Sequence, residues 1–186
     1  MRLFLGIPLA DSVRTKLASL ADRLRSAAWL RWPAPESWHI TLQFLGNTSD
    51  EQYNLLTARL AEVHCAAVPI HLGSLGVFDR AGIFYAEVEA APELVALERR
   101  IAAVTALCGF ERDTRPYHPH ITLARSKGPN RARELRAMLA RMQSQPKFPR
   151  FTAAEFLLYE SHLSASGSTY EVRRRFPLVT ATGSPI

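Results

Sequence analysis

A chain of 186 residues with 47% apolar and 22% charged side chains can bury a substantial core, and its composition excludes disordered, collagenous and disulfide-built proteins. Its 23 Lys and Arg against 17 Asp and Glu leave a net charge of +6, which favours anionic partners. Cys65 and Cys108 form neither a disulfide framework nor a Cys-x-x-Cys metal pair, and no apolar stretch approaches the ~20 residues of a membrane span, so a reducing cytoplasm is expected.

The opening Leu3-Phe4-Leu5-Gly6-Ile7 is too short for a signal peptide and soon meets Pro8, Asp11, Arg14 and Lys16, so Arg2 to Ile7 reads as a buried strand. Asp11 or Ser12 offers an N-cap to a helix with the apolar stripe Val13, Leu17, Leu20 and Leu24. Arg31-Trp32-Pro33-Ala34-Pro35 breaks that pattern, because proline removes donors and pushes its predecessor to extended geometry. A strand from Trp38 to Leu45 follows and stops at Gly46-Asn47. Thr48 with Glu51, or Ser49 with Gln52, has capping-box spacing ahead of a helix marked by Tyr53, Leu56, Leu60 and Val63.

Ile70 to Phe78 and Gly82 to Val88 read as a hairpin around Asp79-Arg80-Ala81. Pro92 opens a helix with Leu94, Leu97, Ile101, Val104 and Cys108 on one face, closed by Gly109. Pro116-Tyr117-His118-Pro119 leads into a strand from His120 to Arg125. A fourth helix carries Leu135, Met138, Leu139 and Met142 behind Pro129. Two last strands, Phe151 to Ser161 and Tyr170 to Leu178, flank a loop with Ser164, Ser166, Gly167 and Ser168. The arginine clusters, Arg23 with Arg25, Arg99 with Arg100, Arg131 with Arg133, and Arg173 to Arg175, read one by one as solvated helix faces or strand edges. Their guanidinium forks nevertheless suit phosphates.

One phrase occurs twice, His39-Ile40-Thr41-Leu42 and His120-Ile121-Thr122-Leu123, 81 positions apart (39 to 120). Alternation along a strand puts His and Thr on one face and the two apolar residues on the other. One copy alone is an ordinary half-buried strand; two copies predict a two-histidine site in a cleft. The repeat suggests an ancient duplication, and with no linker between the halves residues 1–186 are expected to form one α+β domain of two lobes. Near neutral pH one imidazole can accept a proton while another donates one. With hydroxyls and arginines to hold anionic oxygens, that pair meets the needs of metal-free phosphodiester cleavage. His118 two residues before His120 has His-x-His spacing, but no third ligand cluster accompanies it, and no metal is expected. His64, His71 and His162 show no partner pattern in the sequence.

The chain resembles the 2H phosphoesterases, named for paired His-x-Thr-x motifs, and within them the RNA 2′,3′-cyclic phosphodiesterases, also called LigT-like or ThpR-type enzymes and once named 2′-5′ RNA ligases. The likeness covers nearly the whole chain. It includes Arg2-Leu3-Phe4, Leu42-Gln43-Phe44-Leu45-Gly46, Arg80, Arg115 through Arg125, Leu158-Tyr159-Glu160-Ser161, Gly167 and Tyr170. Ala10, where a proline often stands, and Phe84-Tyr85, in place of an aliphatic-tryptophan pair, depart from it.

The resemblance implies an α+β, bilobal fold of two antiparallel-rich sheets with outer helices and a central cleft. It implies hydrolysis of a terminal 2′,3′-cyclic phosphate on RNA to a 2′-phosphate, with no cofactor. It makes His39 the proton donor, His120 the proton acceptor, and Thr41, Thr122 and Arg125 the phosphate ligands. Strict alternation from His120, however, puts Arg125 on the wrong face, which only a bend or bulge after Leu123 reconciles. Trp38, Phe44 and Tyr85 are candidates to stack on a base. The expected partners are RNA 3′ ends or nucleotides bearing a cyclic phosphate, with no membrane, no obligate protein partner and a monomeric state. Other small nucleotides, 2′-5′ linkages, end joining, or a non-catalytic RNA-binding module are the alternatives.

Overall fold

A strand that is apolar on both faces must be covered on both, and β1 (Arg2–Pro8), with Leu3, Phe4, Leu5 and Ile7 all buried, lies inside a sheet. The computed structural model describes residues 1–24, 30–126, 132–142, 146–164 and 167–179. It orders that sheet β10-β9-β1-β3, with β3 (His39–Asn47), β9 (Glu155–Ser164) and β10 (Gly167–Pro177) antiparallel to their neighbours. A second antiparallel sheet runs β2-β7-β6-β5, from β2 (Leu30–Arg31), β5 (Leu72–Phe78), β6 (Ile83–Val88) and β7 (His120–Ser126). A short ladder joins β4 (Val68–Ile70) to β8 (Phe151–Ala153). The helices are α1 (Asp11–Leu24), α2 (Asp50–Ala61), α3 (Pro92–Leu107) and α4 (Ala132–Ala140).

Each sheet borrows from the other half of the chain. β9 and β10 complete the sheet that holds β1 and β3, and β2, which precedes the first motif, edges the sheet that holds β7. One buried cluster joins the two, running from Leu5 and Ile7 through Leu17, Leu56, Leu97, Ile101 and Ile121 to Phe156. A smaller cluster of Phe4, Leu157 and Tyr159 sits on the opposite face of the first sheet.

Several expectations shift. α1 starts at Asp11 and Ala10 carries the capping carbonyl, accepting from Val13 and Arg14, while the Asp11 side chain pairs with Arg14 instead. Of the two capping boxes considered, Ser49 with Gln52 forms, with both reciprocal bonds made. The proline-rich stretch holds β2 and a 3₁₀ turn, Pro35–Ser37. β3 runs through Gly46-Asn47, Val68–Ile70 separates from the hairpin, and the strand expected from Phe151 to Ser161 breaks at Ala154. Arg25, Pro129, Arg131 and Ser166 lie outside the described residues. Among the described residues no helix is long and apolar enough to cross a membrane.

The polar exception in the core is the pair Gln43 and Thr105, 8% and 0% exposed. The Thr105 hydroxyl donates to Gln43 Oε1 at 2.8 Å, and Gln43 Nε2 donates to the Glu111 carbonyl at 3.4 Å, tying α3 and the chain leading to the second motif back to the first motif strand. A buried bond of this kind costs more to half-remove than to make. Gln43→Leu is therefore expected to lower unfolding stability by about 1–3 kcal/mol in urea denaturation. The double change with Thr105→Val should cost less than the sum of the singles, because both singles break the same Gln43–Thr105 bond.

Candidate active site

β3 and β7 carry the same irregularity at the same place. Opposite β1, Leu5 pairs with Gln43 and Gly6 with Thr41, leaving Leu42 as an extra residue. Opposite β6, Phe84 pairs with Ala124 and Tyr85 with Thr122, leaving Leu123 extra. Each is a β-bulge, which restarts alternation one residue out of step. Both strands consequently bury two consecutive residues after Thr, Leu42-Gln43 and Leu123-Ala124, and then expose Phe44 and Arg125 on the face of the histidines. The bulge at Leu123 resolves the conflict over Arg125, whose charge acts on both His39 and His120.

Each imidazole is held in the same way. His39 Nδ1 lies 2.7 Å from the Ser37 carbonyl and His120 Nδ1 lies 2.8 Å from the His118 carbonyl. A carbonyl only accepts, so both Nδ1 atoms carry hydrogen, and in the neutral rings Nε2 keeps its lone pair for the cleft. Burial pushes His39 down to about 4, and the charges of His120 and Arg125 push the same way against the Ser37 carbonyl. Burial also lowers His120, helped by His118 and Arg125 and opposed by the His118 carbonyl. Thr41 and Thr122 are half-buried on the same faces, and neither hydroxyl is engaged by another described residue.

Aromatic rings wall both histidines. His39 packs on Phe4 at 4.6 Å and meets Tyr170 edge-on at 5.2 Å, with Tyr159 at 5.6 Å. It lies across Gly6, where a Cβ would stand 2.9 Å from the Ile40 carbonyl and 3.3 Å from the imidazole. His120 stands edge-on to Phe78 at 4.9 Å, and Phe78 stacks on Tyr85 at 4.2 Å. Tyr85 in turn crosses Gly76, where a Cβ would fall 2.4 Å from its ring. Tyr117 links the halves by donating its hydroxyl to the Thr41 carbonyl at 3.1 Å. A hollow of about 380 Å³ adjoins His39, lined by Pro8, Ser37, Tyr159 and Tyr170 among others. The larger groove of about 540 Å³ between α2 and β10 contains neither motif histidine.

Of the stacking candidates, Trp38 is core at 4% exposed and Tyr85 is committed to Phe78, whereas Phe44 is 69% exposed. His71 and His162, without partners in the sequence pattern, pair with Glu89 and Glu171 at the surface. Arg173 and Arg175 pair with Glu160, Glu171 and Glu155 along β9 and β10. Glu160, His162 and Glu171 could together hold a cation, but Arg173 already pairs with both carboxylates, and none of the motif residues belongs to that group. The tether carbonyls, Tyr117 and Gln43 escaped the sequence reading. The first leave no side-chain signature; Gln43, a lone amide in an apolar strand, was the available clue.

A model of the 2′-5′ RNA ligase superfamily matches residues 9–164. An RNA 2′,3′-cyclic phosphodiesterase of Archaeoglobus fulgidus is 30% identical over 179 residues, 95% of this chain and 99% of that protein. One of Thermus thermophilus is 31% identical over 189 residues, 96% of this chain and 90% of that protein. The crystal structure of E. coli LigT complexed with 3′-AMP superimposes with a TM-score of 0.82 at 25% identity, over 96% of this chain and 98% of the other. Because the matched span takes in both histidine strands and the bilobal α+β architecture is shared, the chain belongs to the 2′-5′ RNA ligase superfamily of 2H phosphoesterases.

Proposed function

We propose that this protein hydrolyses terminal 2′,3′-cyclic phosphates on RNA 3′ ends or nucleotides to 2′-phosphates, by two-histidine acid-base catalysis without a metal. The observation that carries the mechanism is the matched tether of the two imidazoles, each leaving Nε2 for the cleft beside a hydroxyl. The reaction itself is supported by relatives of nearly the same length that are RNA 2′,3′-cyclic phosphodiesterases, and nucleotide binding by E. coli LigT, whose structure is complexed with 3′-AMP.

The cyclic phosphate sits between β3 and β7, with the Thr41 and Thr122 hydroxyls and the Arg125 fork on its non-bridging oxygens. His120 Nε2 takes a proton from a water as that water bonds to phosphorus. The bond from phosphorus to O3′ breaks, and protonated His39 delivers its Nε2 proton to O3′, leaving the phosphate on O2′. This order of roles is the one the family resemblance implies, and burial by itself works against it, because His39 is the more depressed ring. The productive form, His39 protonated and His120 neutral, is the minor singly protonated one until the phosphate anion beside His39 favours its charged form. Phe44 takes the base of the terminal nucleoside on its exposed ring. The protein works as one domain, 1–186, and as a monomer, in a cytoplasm that keeps Cys65 and Cys108 as the free thiols they are.

His39→Ala and His120→Ala should each reduce kcat by about 10²- to 10⁴-fold on an RNA oligomer ending in a 2′,3′-cyclic phosphate. The assay is phosphorus NMR in EDTA, with unchanged circular dichroism; a full rate in either variant refutes the mechanism. The pH profile of kcat/KM should be bell-shaped. Below about 4 both rings carry protons and no base remains. Above the His120 value, itself lowered from 6.5, both are neutral and no acid remains. The maximum is therefore expected on the acid side of neutrality, and a profile that is flat from pH 5 to 8 would contradict it.

A further inference from the structure

β2 contributes only two residues to the second sheet, and its pairing fixes where they point. Leu30 pairs with Ser126 and Arg31 with Arg125, and directly opposed residues share a face of the sheet. Leu30 is buried, and Trp32 meets the core residue Phe84 edge-on, so Arg31 between them projects to the other face, beside Arg125. Both arginines are exposed, and neither is paired with a described carboxylate. Like charges directly opposed on neighbouring strands, ~4.8 Å apart, destabilise a sheet. The pair becomes favourable when an anionic chain runs over it.

The first sheet has no counterpart to this arrangement. There β3 is itself the edge strand, and the position that corresponds to Arg125 is Phe44, paired with Phe4. The cleft thus has one aromatic wall and one cationic wall, and the cationic wall extends outward from Arg125 by one strand. We infer that Arg31 binds the phosphodiester that joins the terminal nucleotide to its 5′ neighbour, and so selects RNA ends over free cyclic mononucleotides. This rests on the phosphodiesterase reading above, in which Arg125 is engaged by the cyclic phosphate itself. A mononucleotide has no second phosphate for Arg31 to bind.

The test compares the whole chain with Arg31→Gln and Arg31→Lys on two substrates, a short RNA ending in a 2′,3′-cyclic phosphate and a 2′,3′-cyclic mononucleotide. Arg31→Gln should lower kcat/KM for the oligomer about tenfold, through KM, as expected for loss of one charge-assisted hydrogen bond. It should leave the mononucleotide unchanged and make the dependence of log kcat/KM on log salt shallower by about 0.7, one single-strand phosphate contact. Arg31→Lys, which keeps the charge, should recover most of the loss. Equal losses on both substrates, or no loss on either, would overturn the inference. If the wild-type protein turned over neither substrate, the phosphodiesterase reading would fail by itself. Arg31 would then be judged by fluorescence anisotropy with a labelled 2′-phosphate-ended oligomer, where about tenfold weaker binding by Arg31→Gln upholds the contact and unchanged binding overturns it.

Discussion

Pairing between β1 and β3, and between β6 and β7, skips one residue at equivalent positions, and the contents of the cleft depend on that skip. Side chains alternate strictly in a regular strand, so a motif strand paired without this skip would send Arg125 and Phe44 toward the core. With Leu42 and Leu123 bulged, two residues in succession face inward and the next returns to the histidines' side. Gln43 and Ala124 fill the second inward position. The glutamine there becomes the brace to Thr105 and the Glu111 carbonyl. One local irregularity thus puts Phe44 and Arg125 on the histidines' side and ties the halves together.

Within that frame the histidines are fixed by main chain, not by a carboxylate. A carboxylate partner would raise an imidazole; a neutral carbonyl sets the tautomer and adds less charge. Packing against Phe4 and Phe78 then removes water, and burial becomes the leading influence on both rings. Burial of this kind favours the neutral form of both rings, and a nearby anion favours the charged one. The aromatic surroundings are made possible by Gly6 and Gly76, whose missing side chains let His39 and Tyr85 lie flat across neighbouring strands.

Much of this was legible in the residue order. Apolar stripes located the four described helices, the Ser49–Gln52 spacing was one of the two capping boxes offered, and the doubled His-x-Thr-x phrase identified both motif strands. What failed to show was whatever depends on partners distant in sequence. β2 is two residues long, too short for any periodicity, and exists only because β7 offers an edge. Trp38, one of three candidates for stacking on a base, turns into the core. The interruption at Ala154 comes from β4 pairing with β8, an event no local pattern encodes. The carbonyl tethers belong to Ser37 and His118 only by position, so any side chain could stand there.

The exchange of strands between the two halves also bears on how the chain matures at the ribosome. β1 is made before β9, and one of its edges stays unpaired until β9 is synthesised, more than half of these 186 residues later. Translation at about 5–20 residues per second makes that a wait of several seconds or more, with an apolar strand edge open to wrong partners. The wall of Tyr159 and Tyr170 around His39 arrives with the same late segment. A nascent chain therefore holds both motif histidines before it holds a finished cleft, and chaperone protection of β1 during that interval matters more here than in a protein whose sheets each come from one continuous stretch.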